Sequence, residues 1–221
     1  MPFFHGTLFS VDRKEMMRYA GIPARQSFPE ALIENAIQTA TALAAPRGIW
    51  QHVPYNPETG MLGSGVNAFF LEGTSIRKHL SSSFAVIAMA VTVGGDIERE
   101  SDAEFQKGNY TEGLLLDAAA TALTEHLADQ FNDFINTDAR KSGQKTTWRF
   151  SPGYGDWPVT CQKNLCHAIC ADKIGISVTD HFMLTPRKSV TAVIGLSACT
   201  QKPAPARCSS CSLASCPFRS R

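Results

Sequence analysis

LLLDAAATALTEHLADQF (114–131) decides how this chain is read. Leu116, Ala120, Leu123, Leu127 and Phe131, followed by Phe134, recur every three or four positions, so their side chains share one face of an α-helix. The spacing predicts a long helix from about Thr111 to Asn136 with that face in the core. A second face carries Ala118, Ala122, Glu125 and Asp129, small residues beside carboxylates. Small side chains let other groups approach, which would set Glu125 in a pocket wall. On pattern alone, however, the face reads as a solvated acidic surface.

Upstream, FAVIAMAVTV (84–93) is nearly all apolar and of strand length, the pattern of a strand buried on both faces. Residues 48–54 and 61–71 read as two strands joined by the NPETG turn (56–60). Before them, Leu32, Ile33, Ala36, Ile37, Ala40 and Leu43 mark a helical face. Ser27 and Glu30 have the spacing of a capping box, and Pro46 and Gly48 stop the helix. Asp96 is the expected N-cap of a short charged helix running to about Lys107 and ended by Gly108. Downstream, TTWRFSPGYGDWPVT (146–160) must be a compact irregular loop. A helix at about 160–171 and a strand-like pair, 174–179 and 189–196, turning at Pro186–Lys188, close the domain. Helices before, between and after non-adjacent strands predict an α+β fold: a twisted, mainly antiparallel sheet with a long helix and several shorter ones.

The 221 residues suffice for one domain (1–198) and a Cys-rich tail (199–221). Lys+Arg 21 against Asp+Glu 20 leaves a net charge of +1, which argues against nucleic-acid binding and polybasic membrane docking. No apolar run is long enough to span a bilayer, and no signal-peptide pattern opens the chain. The expectation is a cytoplasmic protein, in which clustered cysteines bind metal or do redox chemistry more often than they form disulfides.

The tail carries Cys199, Cys208, Cys211 and Cys216 in the spacing C-x8-C-x2-C-x4-C. Its remaining residues, rich in Pro, Ser and Ala, cannot bury enough surface to offset the entropy of ordering them. Four thiolates on one metal centre would supply that free energy, and zinc and iron–sulfur both fit the count. Lys202, Arg207, Arg219 and Arg221 add positive charge, with no acidic residue between Cys199 and Arg221. Cys161, Cys166 and Cys170 read as core cysteines, the last two sharing a helical face at i,i+4. The six histidines show no paired metal spacing.

Within the irregular loop, Arg149 and Tyr154 flank Ser151-Pro152-Gly153. A Pro-Gly turn presents backbone N–H and C=O groups, Arg149 a forked donor for a carboxylate, and Tyr154 a ring face and a hydroxyl. By composition alone the loop is a rigid surface turn with aromatic packing.

Three runs in order, LLLDAAATALTEHLADQF, RFSPGYGDWP (149–158) and IGISVTDHFMLTPRKSV (174–190), resemble the C-terminal reactivation domain of cobalamin-dependent methionine synthase. Residues 1–110 match only in a general way. The Arg-x-x-Pro-Gly-Tyr element is that family's S-adenosylmethionine-binding signature. The resemblance therefore implies a ligand site lined by Arg149, Ser151, Pro152, Gly153 and Tyr154, with Glu125 facing the ligand's cationic end. It also implies a partner: a corrinoid protein, or a methionine synthase lacking its own reactivation domain, which carries the cobalamin. An electron from a reductase would reduce inactive cob(II)alamin, and S-adenosylmethionine would methylate the product. A corrinoid activator needs low-potential electrons, which places an iron–sulfur relay ahead of zinc on the tail. The rival reading is a non-catalytic docking module for a corrinoid protein with a structural zinc tail. The chain departs from the family in having no Tyr after Tyr154, no placeable N-terminal acidic ligand contact, and the four-Cys tail itself.

Overall fold

The computed structural model of the protein describes residues 2–8, 10–23, 28–65 and 68–198. Cys199, Cys208, Cys211 and Cys216 lie outside the described residues, as does Ser27. In chain order the elements are β1 (Phe3–Phe4), α1 (Arg13–Tyr19), α2 (Glu30–Leu43), β2 (Arg47–Asn56), β3 (Met61–Leu62) and β4 (Phe69–Phe70). Then come α3 (Thr74–His79), β5 (Ala85–Thr92), α4 (Asp96–Gln106), α5 (Tyr110–Lys141) and β6 (Gln144–Thr146). The chain closes with α6 (Gln162–Ala168), β7 (Ser177–Val178), β8 (Leu184–Thr185) and β9 (Ser189–Ala198).

The main sheet runs β4-β3-β2-β5-β9-β6, with β1 also paired to β2, and every pairing is antiparallel. Its centre is β5, bonded along its whole length to β2 on one side and β9 on the other. Side chains alternate across a strand, and here both faces are dry. Ile87, Met89, Val91 and Val93 face a core shared with α1, α2, α4 and α5. Val86, Ala88 and Ala90 face a second core shared with α3 and α6. The α+β class, the antiparallel sheet and the long helix are as the sequence implied; the two-sided burial holds for residues 86–93, whereas Phe84, ahead of the strand, is 53% exposed.

Helix α5 is longer than its apolar pattern predicted at the C-terminal end, because Ile135 and Ala139 continue the buried face to Lys141. Arg140 and Lys141 sit where cations favour the helix dipole. Phe134 is 43% exposed rather than in the core face, and packs its ring near Phe4 and Trp50. Ala118 and Ala122 belong to the core and not to a solvated face. Gly113 makes room for α4: a Cβ there would lie 3.0 Å from the Phe105 ring. No helix among the described residues is long and apolar enough to cross a membrane.

Several local expectations give way to tertiary pairing. Residues 61–71 are not one strand: Gly63 and Gly65 take positive φ, turning the chain so that Met61 pairs with Phe70 and Leu62 with Phe69. Residues 174–179 do not pair with β9 either. Val178 meets Leu184 in a separate β7-β8 hairpin closed by Thr179 N–H donating to the Met183 carbonyl at 2.9 Å. The N-cap of α4 is Gly95, and Asp96, one residue inside, binds Arg99. Glu30, the first residue of α2, binds Arg13 of α1, and the N-cap of the helix is Pro29. Cys166 is buried in α6, whereas Cys170 follows the helix in a left-handed conformation (φ 50°), so the two share no helical face.

Gly195, opposite Val86 on β9, lets the second core close on the sheet. A Cβ there would lie 2.1 Å from Ser83 Oγ and 2.9 Å from Leu80 Cδ2. Gly195→Ala is expected to destabilise the fold by about 1–3 kcal/mol through overpacking. Urea unfolding measures this, and an unchanged midpoint would show that the two groups move aside freely.

Candidate functional site

After β6 the chain continues beside β9 without forming a regular strand. Thr147 N–H donates to Gly195 O at 2.9 Å. Phe150 and Val193 exchange both backbone bonds, at 3.0 and 2.9 Å. This pairing sets the alternation. Phe150 turns to the α3 and α6 face, where it belongs to the second core, and Arg149 turns to the α5 face.

Arg149 is 5% exposed. A guanidinium stays charged at any ordinary pH, so its burial demands counter-charge. Glu125 and Asp129 provide it, one turn apart on α5. Arg149 Nη2 donates to Glu125 Oε2 at 3.3 Å, and Nη1 forms an ion pair with Asp129 Oδ1 at 2.8 Å. The Nη1 contact lacks hydrogen-bond alignment, leaving that buried nitrogen with donor capacity. The Glu125 side chain is 36% exposed and that of Asp129 67%. Two like charges at i,i+4 repel, and the shared cation offsets the repulsion. The sequence placed Asp129 on the same helical face as Glu125, but nothing in its pattern linked either carboxylate to Arg149.

A fourth residue near the cluster comes from α1. Burial first, and then the negative field of Glu125, push the Tyr19 hydroxyl above its ordinary pKa. The Arg18 guanidinium lies 4.6 Å from the Tyr19 ring centroid. Nothing in the sequence pattern linked residue 19 to residue 125.

The turn at 151–154 is self-contained. Tyr154 N–H donates to Ser151 O at 3.0 Å, Gly153 N–H to Trp157 O at 2.8 Å, and Trp157 N–H to Tyr154 O at 3.0 Å. Gly153 has φ 91°, the left-handed conformation a Pro-Gly turn of this type requires. The Gly153 and Tyr154 donors expected to face a ligand are thus already engaged. Pro152 is buried and Ser151 half-buried. Tyr154, 40% exposed, packs edge-on to Phe150 with centroids 5.8 Å apart. Of the residues singled out from sequence, the fold brings Glu125 and Arg149 into direct contact and sets 151–154 on the same strand extension.

Among the described residues no group of three or more His, Cys, Asp or Glu side chains could hold a metal ion. Burial pushes the Cys166 thiol up to about 11, keeping it protonated and poor as a ligand. A groove of ≈ 460 Å³ runs between the N-terminal segment and the C-terminal half of α5, lined by Phe4, Thr7, Gln130, Asp133, Phe134 and Lys141 among others. It includes none of the residues predicted for the site.

These features define an antiparallel α+β protein with a charged cluster where its longest helix meets the sheet edge. No protein-family model matches the chain, and no curated protein does. Among solved structures, the crystal structure of the MetH reactivation domain bound to AdoHcy aligns with a TM-score of 0.64 at 17% sequence identity. The alignment covers 91% of this chain and 80% of that chain. The protein therefore has the fold of that domain.

His79 of α3 supports the strand extension from below. Its Nε2 lies 2.9 Å from Trp148 O, and its ring centroid is 4.4 Å from that of Trp148. Burial holds the imidazole below its ordinary value of 6.5, against the opposing pull of the Trp148 carbonyl. The unfolded chain thus takes up this proton at higher pH than the folded one. The stabilising contribution is complete above pH 6.5 and is lost as pH falls below it. The Tm of the wild type is expected to drop more steeply than that of His79→Gln between pH 7 and pH 5. Parallel Tm profiles would show that His79 does not titrate in this way.

Proposed function

We propose that this chain serves in the reductive activation of a corrinoid protein of a methyltransferase or methionine synthase system, with S-adenosylmethionine as methyl donor. The observation that carries the reading is Arg149 shared between Glu125 and Asp129 at the sheet edge of this fold. One guanidinium between two carboxylates leaves an excess negative charge. An amino-acid headgroup with a further cation matches that cluster: its carboxylate suits the guanidinium, and its ammonium and sulfonium suit the carboxylates. The solved domain with the same fold holds AdoHcy, which has the same headgroup and nucleoside.

In this reading Arg149 orients the headgroup carboxylate. Glu125, the more sheltered acid, faces the cationic end, and Asp129 keeps Arg149 in place. Ser151, Pro152, Gly153 and Tyr154 supply carbonyl oxygens, a hydroxyl and a ring face. When bound, S-adenosylmethionine supplies an electrophilic methyl group. The substrate is the cobalt of a partner's corrinoid, whose Co(II) form takes one electron and whose Co(I) form then accepts the methyl group. The chain's contribution is positioning, with no general base. Cys199, Cys208, Cys211 and Cys216 would hold an iron–sulfur centre that relays the electron, with zinc as the alternative metal.

Arg149 already has two acidic partners, which favours a second reading: a cluster that only braces the fold of a non-catalytic corrinoid-protein docking module, with a structural zinc tail. Anaerobic purification separates the two. A brown protein containing iron and sulfide supports the relay, and a colourless protein with zinc supports the docking module. Cys208→Ser and Cys211→Ser should each lose the metal, and full metal content in both would refute four-Cys ligation. In calorimetric titration with S-adenosylmethionine, Arg149→Ala is expected to weaken binding at least about tenfold. Glu125→Gln should weaken it more than Asp129→Asn does. Equal affinities across wild type and variants would remove the cluster from the site.

A further inference from the structure

Helix α3 begins without a cap of its own, since its N-cap residue is Gly73. The cap comes from 82 positions away, inside the ligand loop. Asp156 Oδ2 accepts from Thr74 N at 2.7 Å and from Thr74 Oγ1 at 2.6 Å, and Oδ1 accepts from Ser75 N at 2.8 Å. The two backbones press together at this point. A Cβ on Gly73 would lie 2.7 Å from Asp156 O, and one on Gly155 would lie 2.8 Å from Ser75 Oγ. Both glycines have positive φ, 106° and 56°. At the other end of α3, His79 holds Trp148 O and packs its ring, tilted, against Trp148 and Phe150. The six-residue helix therefore grips both stems of the loop, 148–150 and 155–157, with the turn 151–154 suspended between them.

We propose that Asp156 is a positioning residue for the ligand loop, fixing the Ser151–Tyr154 turn through α3 before any ligand arrives; this rests on the assignment of that turn to S-adenosylmethionine. Asp156 is exposed, so it contributes nothing to the core. Its bonds are charge-assisted and linked across the fold. The hydroxyl of Thr74 and the two backbone N–H groups hold its carboxyl well below the ordinary value of 3.8, so the clamp stays charged across the working pH range. A turn fixed in advance spares the ligand the entropy of ordering it, which raises affinity without adding a contact.

The test uses the full chain and two readouts. In calorimetry, Asp156→Ala is expected to bind S-adenosylmethionine about tenfold more weakly or worse, and Asp156→Asn, which keeps one acceptor, to recover part of the loss. In amide exchange without ligand, the Gly153 and Tyr154 N–H groups of Asp156→Ala should exchange faster than in wild type, while those of β5 should not change. Should Asp156→Ala fail to fold, Thr74→Val, which removes only the hydroxyl bond, should move both readouts in the same direction by less. Wild-type affinity together with wild-type exchange at Gly153 and Tyr154 overturns the clamp. If wild type binds no S-adenosylmethionine, the ligand assignment falls with it, and the exchange measurement still decides whether Asp156 fixes the turn.

Discussion

A guanidinium that cannot lose its charge, set almost wholly inside the fold, is the constraint on which the rest of this structure depends. Arg149 must meet negative charge on the side where the strand alternation points it, and that side is α5. Glu125 and Asp129 can both reach it only because they stand one turn apart on a helix that lies along the sheet. The small residues Ala118, Ala119, Ala120 and Ala122 let that helix lie close. The same stripe of α5 meets a second cation further up. Lys188, at the approach to β9, binds Asp117 and Thr121 at 2.8 Å each. Two cations from the sheet edge thus hold the polar side of one helix while its apolar side fills the core.

The two-sided sheet decides where each residue beside β9 points. With β5 and β9 dry on both faces, every residue entering beside β9 is assigned to one core or the other by its parity. Arg149 goes to the helices, and Trp148 and Phe150 go to α3 and α6. The chain then leaves the sheet at Ser151, so the turn falls at the edge between the two layers. A negatively biased cluster lies on one side of it and an aromatic floor of His79, Trp148 and Phe150 on the other.

What the sequence disclosed and what it hid follow from range. Periodicity within one element was legible: the 3.6-residue face of α5, the apolar run of β5, and the faces of α2. Residues 149–154 stood out because Pro, Gly and aromatics cluster there. The misreadings arose where a distant partner outcompeted a local pattern. Residues 174–179 have strand character but fold back on Leu184. Cys170 sits at i,i+4 from Cys166 but lies past the helix end. The pairing of Asp129 with Arg149 and the roles of Tyr19 and Asp156 were invisible for the same reason, since each depends on an interaction 20 to 106 positions away. The tail cysteines, the plainest motif in the chain, lie outside the described residues.

The most direct test of this account is a double-mutant cycle between Arg149 and Glu125, read as unfolding free energy in urea for wild type, Arg149→Met, Glu125→Gln and the double variant. A guanidinium that depends on its shared carboxylates predicts a coupling of about 1 kcal/mol or more between the two positions. Strictly additive effects would contradict it, and would leave Asp129 and packing to hold Arg149 without Glu125.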